Sequence, residues 1–314
     1  MDSSNASPQD EAQRGAALIG LLERARQEFL ALVQPVRPDL HRYCARMTGS
    51  LADGEDVVQE TLARACYELS HMHQPPALRP WLFRVAHNCA IDHLRRESLR
   101  RTEPLETALD IADAIEREPD AVLARQQAVR AALAGFLALA PAQRACVILK
   151  DVLEHSLEEI ASELVLTVPA VKAALHRGRT ALQQQARDAS AQASLPREIS
   201  PALRRYAVLF EARDWDAVRS LLAEDVTLDL VSRRKASGRQ AVASYFGNYD
   251  RTPHWQVMPG WLDAHEVLGV KRAGDSAVPD YFIVLDWRDA QVARIRDYRY
   301  VPYIASEAQF VPAR

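Results

Sequence analysis

The feature that most constrains this chain is a change of period. Up to about Arg187 the apolar residues recur three and four apart, which places them on one side of an α-helix. After Ile199 two more helical segments follow. Then come runs such as Val226–Val231, Tyr281–Trp287 and Val292–Tyr300, whose β-branched and aromatic content predicts strands. A helical stretch followed by mixed helices and strands predicts helical domains joined to an α+β domain. The 314 residues suffice for two or three compact domains.

Charge divides the helical part in two. Between Arg79 and Arg101 six arginines (79, 84, 95, 96, 100, 101) face only Asp92 and Glu97, whereas seven acids between Glu103 and Asp120 face only Arg117. The chain is therefore read as a polar, disordered lead-in (1–25), a helical block (26–101), an acidic linker (102–121), a second helical block (122–187), an Ala, Ser and Gln linker with Pro196 (188–199), and an α+β domain (200–314). The net charge of −3 means that any nucleic-acid contact comes from local patches. No apolar run approaches the ~20 residues of a membrane span, and the N terminus lacks the pattern of a signal peptide, so the expected location is the cytoplasm and no membrane contact is expected. Cys44, Cys66, Cys89 and Cys146 form no C-x-x-C pair and read as reduced core thiols. His87, Cys89 and His93 do not have the spacing of a standard zinc motif. Neither a metal nor a cofactor is expected.

In the first block, Asp53 is expected to cap a helix starting near Gly54, with Val58, Leu62, Ala65 and Leu69 as its buried stripe. Asp56, Gln59, Glu60 and Arg64 lie on another face, as either a solvated edge or a contact surface. The next helix is expected from about Pro80, with Leu82, Val85, Ala86 and Cys89 inward. Trp81, Arg84, Asn88 and Arg95 recur three, four and seven apart and share a face that could stack unpaired bases and hold phosphates. The alternative is a core tryptophan with a solvated basic edge.

In the second block, "HSLEEIASELVLTVPAVKAALHRGRTAL" has helix-turn-helix proportions. Ser156 and Glu159 form a capping box, while Thr167 and Pro169 start the second helix. Leu157, Ile160, Ala161 and Leu164 turn inward on the first helix, and Val168, Val171, Leu175 and Leu182 on the second. Lys172, His176, Arg177 and Arg179 form the basic side that a recognition helix needs.

The stretches "DGEDVVQETLARACYEL" and "RPWLFRVAHNCAIDHLRR" resemble region 2 of extracytoplasmic-function sigma factors, and the helix-turn-helix resembles their region 4. The resemblance implies a factor that binds core RNA polymerase and directs promoter-specific initiation. It implies that Asp56, Gln59 and Glu60 contact the coiled coil of the largest polymerase subunit, with the flap as a second contact. It implies that residues 70–80 form the loop that captures a flipped minus-ten base and that Trp81 wedges at the upstream edge of the bubble. Lys172, His176, Arg177 and Arg179 match positions that read the minus-35 element. One departure is Val165, where the family usually has Gly in the turn.

The remainder, from "LRRYAVLFEARDWDAVRSLLAEDVTLDL", resembles a SnoaL-like cone domain. The expected fold is thus multidomain: two all-α sigma domains, the second with a helix-turn-helix, followed by an α+β cone. Trp215, Phe246, Trp255, Trp261 and Tyr281 either line a pocket for an unknown small ligand or fill the core. His254, His265 and Asp275 do not form an acid/base pair by their spacing, so no catalytic residue is assigned. Where the best-known fused group has an Asn-Pro-Asp-Lys-Leu motif, this chain has "RDYRYVPYI". The fused domain is expected to modulate the sigma portion. A regulator that ignores polymerase, and an enzyme acting through the cone, are the competing classes.

Overall fold

The computed structural model describes residues 8–101, 133–189, 198–251, 255–262, 265–272, 278–308 and 310–313. The acidic linker, most of the second linker, His254 and Asp275 lie outside the described residues.

The lead-in is corrected first: Pro8–Val33 is a helix, α1. Its apolar residues at helical spacing reach Phe29 and Val33, which pack against the helical core. Helix α2 (Arg37–Thr48) has a proline in its first turn and ends at Gly49, whose φ of 77° suits a residue without Cβ. Helix α3 (Leu51–Leu69) is capped by Ser50, not Asp53: the Ser50 hydroxyl accepts from the Asp53 amide, so the helix starts a turn earlier than expected. Gly54 lies where α2 and α3 cross. A Cβ there would come within 2.5 Å of the Ala45 Cα, so only glycine permits this approach. Helix α4 (Leu78–Arg101) follows an exposed loop.

The second block contains α5 (Leu133–Phe136), α6 (Pro141–Val147) continuing through a π-turn to Val152, α7 (Leu157–Leu164) and α8 (Val168–Ala189). Both halves of the Ser156–Glu159 capping box form, and Thr167 caps α8 through the Ala170 amide. Val165 takes the left-handed conformation, φ 56° and ψ 46°, that the turn demands.

The C-terminal domain opens with α9 (Pro201–Glu211) and α10 (Trp215–Ser220). Strands β1 (Leu222–Leu230), β2 (Arg234–Ser237), β3 (Trp255–Leu262), β4 (His265–Arg272), β5 (Tyr281–Arg288), β6 (Gln291–Asp297) and β7 (Phe310–Pro312) form one sheet in the order β2-β1-β6-β5-β4-β3-β7. The β1–β6 pair is parallel, with Leu228 beside Ile295, and the others are antiparallel. Short helices α11 (Arg239–Ala243), α12 (Gly247–Asp250) and α13 (Tyr303–Glu307) complete the domain.

Among the described residues, three apolar clusters hold the fold. One runs without a break through both helical blocks, from Leu40, Val58 and Leu82 to Ile148, Ile160 and Leu175. A second fills the cone. A third joins them: Ala45, Leu51 and Ala52 pack with Val231, Phe282, Tyr298, Val301 and Ile304.

Candidate functional site

The polar face of α3 divides into three local environments. Asp56 forms an ion pair at 3.3 Å with Arg296 of β6, whose other nitrogen reaches Asp286 at 3.3 Å. Burial raises the Asp56 carboxyl above the usual carboxylate range, against the opposing pull of Arg296. The Gln59 Nε2 is buried without a hydrogen-bond partner. Glu60 faces outward and pairs with Arg96 at 2.8 Å. Thus the C-terminal domain occupies one of the three residues, leaves the second unsatisfied and does not pair with the third.

At Glu55, the residue before Asp56, a buried network fixes this contact. Arg37 binds Glu55, Ser232 and Tyr303, the last at 2.7 Å, and the Tyr303 hydroxyl donates to Glu55 at 2.7 Å. Glu55 is fully buried, and these donors supply the hydrogen bonds that water cannot. Burial and then Glu55 push the Tyr303 phenol well up, which keeps it a donor. The "RDYRYVPYI" segment is therefore the docking element: Arg296, Tyr298, Val301, Tyr303 and Ile304 all meet α2 or α3 through ion pairs, hydrogen bonds or the shared apolar cluster.

On α4, Arg84, Asn88 and Arg95 are exposed, while Trp81 is 9% exposed within the helical core. The expected aromatic–basic face is therefore split in this arrangement. The second block packs close by: Arg84 donates to the Ser162 carbonyl at 3.1 Å, and His155 meets the edge of Phe83 at 4.9 Å. Arg64, His87, Asn88 and Arg95 line a small polar cleft. Burial holds His87 neutral, with its pKa lowered to about 4, and its Nδ1 lies 2.8 Å from the Tyr43 hydroxyl.

On α8, Lys172 is exposed and His176 and Arg177 are half-exposed. Arg179 is held by both oxygens of buried Asp151, at 2.9 and 2.5 Å, so here it braces the helix. Inside the cone, Trp215, Phe246 and Trp255 pack around Phe210 at centroid distances of 5.2, 6.3 and 5.3 Å. With Tyr281 they belong to the core, while Trp261 is half-buried against it. Asp297, fully buried, accepts from Tyr245 and Tyr249 at 2.7 and 3.0 Å, and burial raises its carboxyl. His265 is exposed at the start of β4. Among the described residues no group of three or more His, Cys, Asp or Glu is arranged to hold a metal, and no helix is long and apolar enough to cross a membrane.

Sequence reasoning missed Arg37, Glu55, Arg296 and Tyr303. The only available signal was the departure of "RDYRYVPYI" from the familiar motif. Arg37 and Tyr303 lie 266 positions apart, beyond any local pattern.

Family models for Sigma-70 region 2, Sigma-70 region 4 and a SnoaL-like domain match residues 32–100, 130–182 and 191–265. The chain is 32% identical to the ECF RNA polymerase sigma factor SigG of Mycobacterium tuberculosis, over 87% of this chain and 81% of that protein. It is 31% identical to the ECF RNA polymerase sigma factor SigW of Bacillus subtilis, over 51% of this chain and 89% of that one. The crystal structure of the sigma factor SigJ of M. tuberculosis is similar at 23% identity and a TM-score of 0.34, covering 85% of this chain and 95% of that one.

Proposed function

Because this chain belongs to the ECF RNA polymerase sigma factors, we propose that its initiation activity is held in check by its own C-terminal domain, which covers the polymerase-facing side of α3. Asp56, Gln59 and Glu60 bind the coiled coil of the largest polymerase subunit. Trp81, Arg84, Asn88 and Arg95 act on minus-ten DNA, and Lys172, His176, Arg177 and Arg179 on the minus-35 element, with the flap as a further polymerase contact. The single observation that carries the regulatory reading is the Arg296–Asp56 pair. One carboxylate cannot serve Arg296 and a polymerase cation at full strength together. The burial of Trp81 and the Arg84–Ser162 contact support a resting arrangement that must open before DNA is engaged. The cone acts in regulation and not in catalysis, since aromatic side chains fill its interior.

The test is affinity of the intact chain for core polymerase. Arg296→Asp places two carboxylates opposite each other, releases the domain and raises affinity at least about fivefold, a coupling of ~1 kcal/mol. Joint replacement of Gln59 by Ala and Glu60 by Lys lowers affinity by about 2–5 kcal/mol. Unchanged affinity in Arg296→Asp rules out the covering role. Unchanged affinity in the double variant removes the α3 assignment.

A further inference from the structure

A cavity of about 780 Å³ lies between α1, α3 and the β1–β2 hairpin. Its size falls in the range of small-ligand sites, roughly 300–1,000 Å³. Its walls combine two chemistries. Leu22, Phe29 and Leu30 of α1 and Leu62, Ala63 and Tyr67 of α3 give a largely apolar trough. Arg26 of α1 and the consecutive Arg233, Arg234 and Lys235 of the hairpin give a basic rim. Lys235 is answered by Asp229 at 3.2 Å, and Arg233 lies over the Tyr300 ring at 5.1 Å. Arg26 and Arg234 make no ion pair among the described residues. The unsatisfied Gln59 Nε2 belongs to a residue that lines the same cavity and offers a buried donor.

We propose that this cavity binds a single-chain amphiphile with an anionic head, a medium-chain aliphatic carboxylate, and that its binding locks the C-terminal domain onto α3. The chain of the ligand lies in the apolar trough, where burial removes it from water. The carboxylate meets the arginines of the rim, which present paired donors. The neutral trough does not favour a second charge, so a dicarboxylate or an acidic peptide fits less well. Five lining residues, Asp229, Ser232, Arg233, Arg234 and Lys235, come from the C-terminal domain. The site is thus complete only while that domain is docked. A ligand with higher affinity for the docked state shifts the population toward it, and here that also buries Gln59 beneath the ligand. The coupling rests on the covering role proposed above, whereas the pocket's chemistry does not.

The experiment is calorimetric titration of the intact chain with dodecanoate below its micelle threshold, beside dodecanol and butyrate. Dodecanoate binds one to one. Dodecanol, which lacks the charge, and butyrate, which lacks the chain, each bind at least tenfold more weakly. Arg234 is exposed, so Arg234→Glu leaves folding intact and weakens dodecanoate at least tenfold. Dodecanoate also lowers the affinity of wild type, but not of Arg234→Glu, for core polymerase. Absent saturable binding, equal binding by dodecanol, or full affinity in Arg234→Glu overturns the site. If dodecanoate binds as described but leaves polymerase affinity unmoved, the locking part falls. Arg296→Asp without any ligand reports separately on the covering role.

Discussion

Region 2 meets its two neighbours by different means. Against the helix-turn-helix it shares an uninterrupted apolar core, in which Leu82 and Phe83 of α4 and Ile160 of α7 belong to one cluster. Against the C-terminal domain it uses a smaller apolar patch, the Arg296–Asp56 ion pair, and hydrogen bonds of Tyr303 and Ser232 with its own buried Arg37–Glu55 pair. Separating the first joint exposes apolar surface, at roughly 25 cal/mol per Å². Separating the second returns ions to water, which offsets much of what the contact gains. The polar joint is thus the one that a partner can open at modest cost, and the apolar joint behaves as part of the fold.

Three perturbations test that contrast. The largest effect is expected from Phe83→Ala, which empties a fully buried site touching His155. It destabilises both helical blocks together by about 3–5 kcal/mol, measured by denaturant unfolding. Loss of the helix-turn-helix alone, with region 2 unaffected, breaks the claim of a shared core. Arg37→Ala comes next. It leaves Glu55 buried with only Tyr303 as donor among the described residues, a loss of about 3 kcal/mol, and Arg37→Met with Glu55→Gln recovers most of it. Failure of that pair to recover stability, read by thermal unfolding, means the joint does not depend on charge satisfaction.

The smallest effect is a pH dependence inside the helical block. The pKa of His87 in the fold is depressed to about 4, below its ordinary value near 6.5. Its contribution is therefore present above pH 6.5 and lost as pH falls toward 4, about 2–3 kcal/mol in all. His87→Gln keeps an acceptor for Tyr43 and flattens this limb of the stability profile. An unchanged acid limb in His87→Gln assigns it to other groups.

Much of the helical part was legible because its signals are local. The Ser156–Glu159 box, Pro169 and the α3 and α4 stripes each lie within about one to three helical turns, and each formed as read. Val165 was legible as strain, and its φ of 56° gives the reason. The Asp53 cap was misread because Ser50, three residues earlier, caps the helix and takes the amide of Asp53 itself. Strand β3, with Pro259 and Gly260 within it, was not among the runs expected as strands. In the sheet Gly260 admits the β7 backbone, where a Cβ would lie 2.4 Å from the Val311 carbonyl. The covering of Asp56 was illegible because Arg296 lies 240 positions away and answers to sheet topology instead of local pattern.

Arg296 and Asp297 are neighbours on β6, and side chains alternate across a strand. The first reaches Asp56 on region 2, and the second anchors the tyrosines inside the cone. One inserted or deleted residue in β6 would exchange them, setting a carboxylate against Asp56 and a guanidinium among tyrosines. Lineages carrying this domain can therefore vary the length of the β5–β6 turn far more freely than that of the strand. A change in how the cone is packed is also inherited, through a single peptide unit, by the α3 face that we propose meets polymerase.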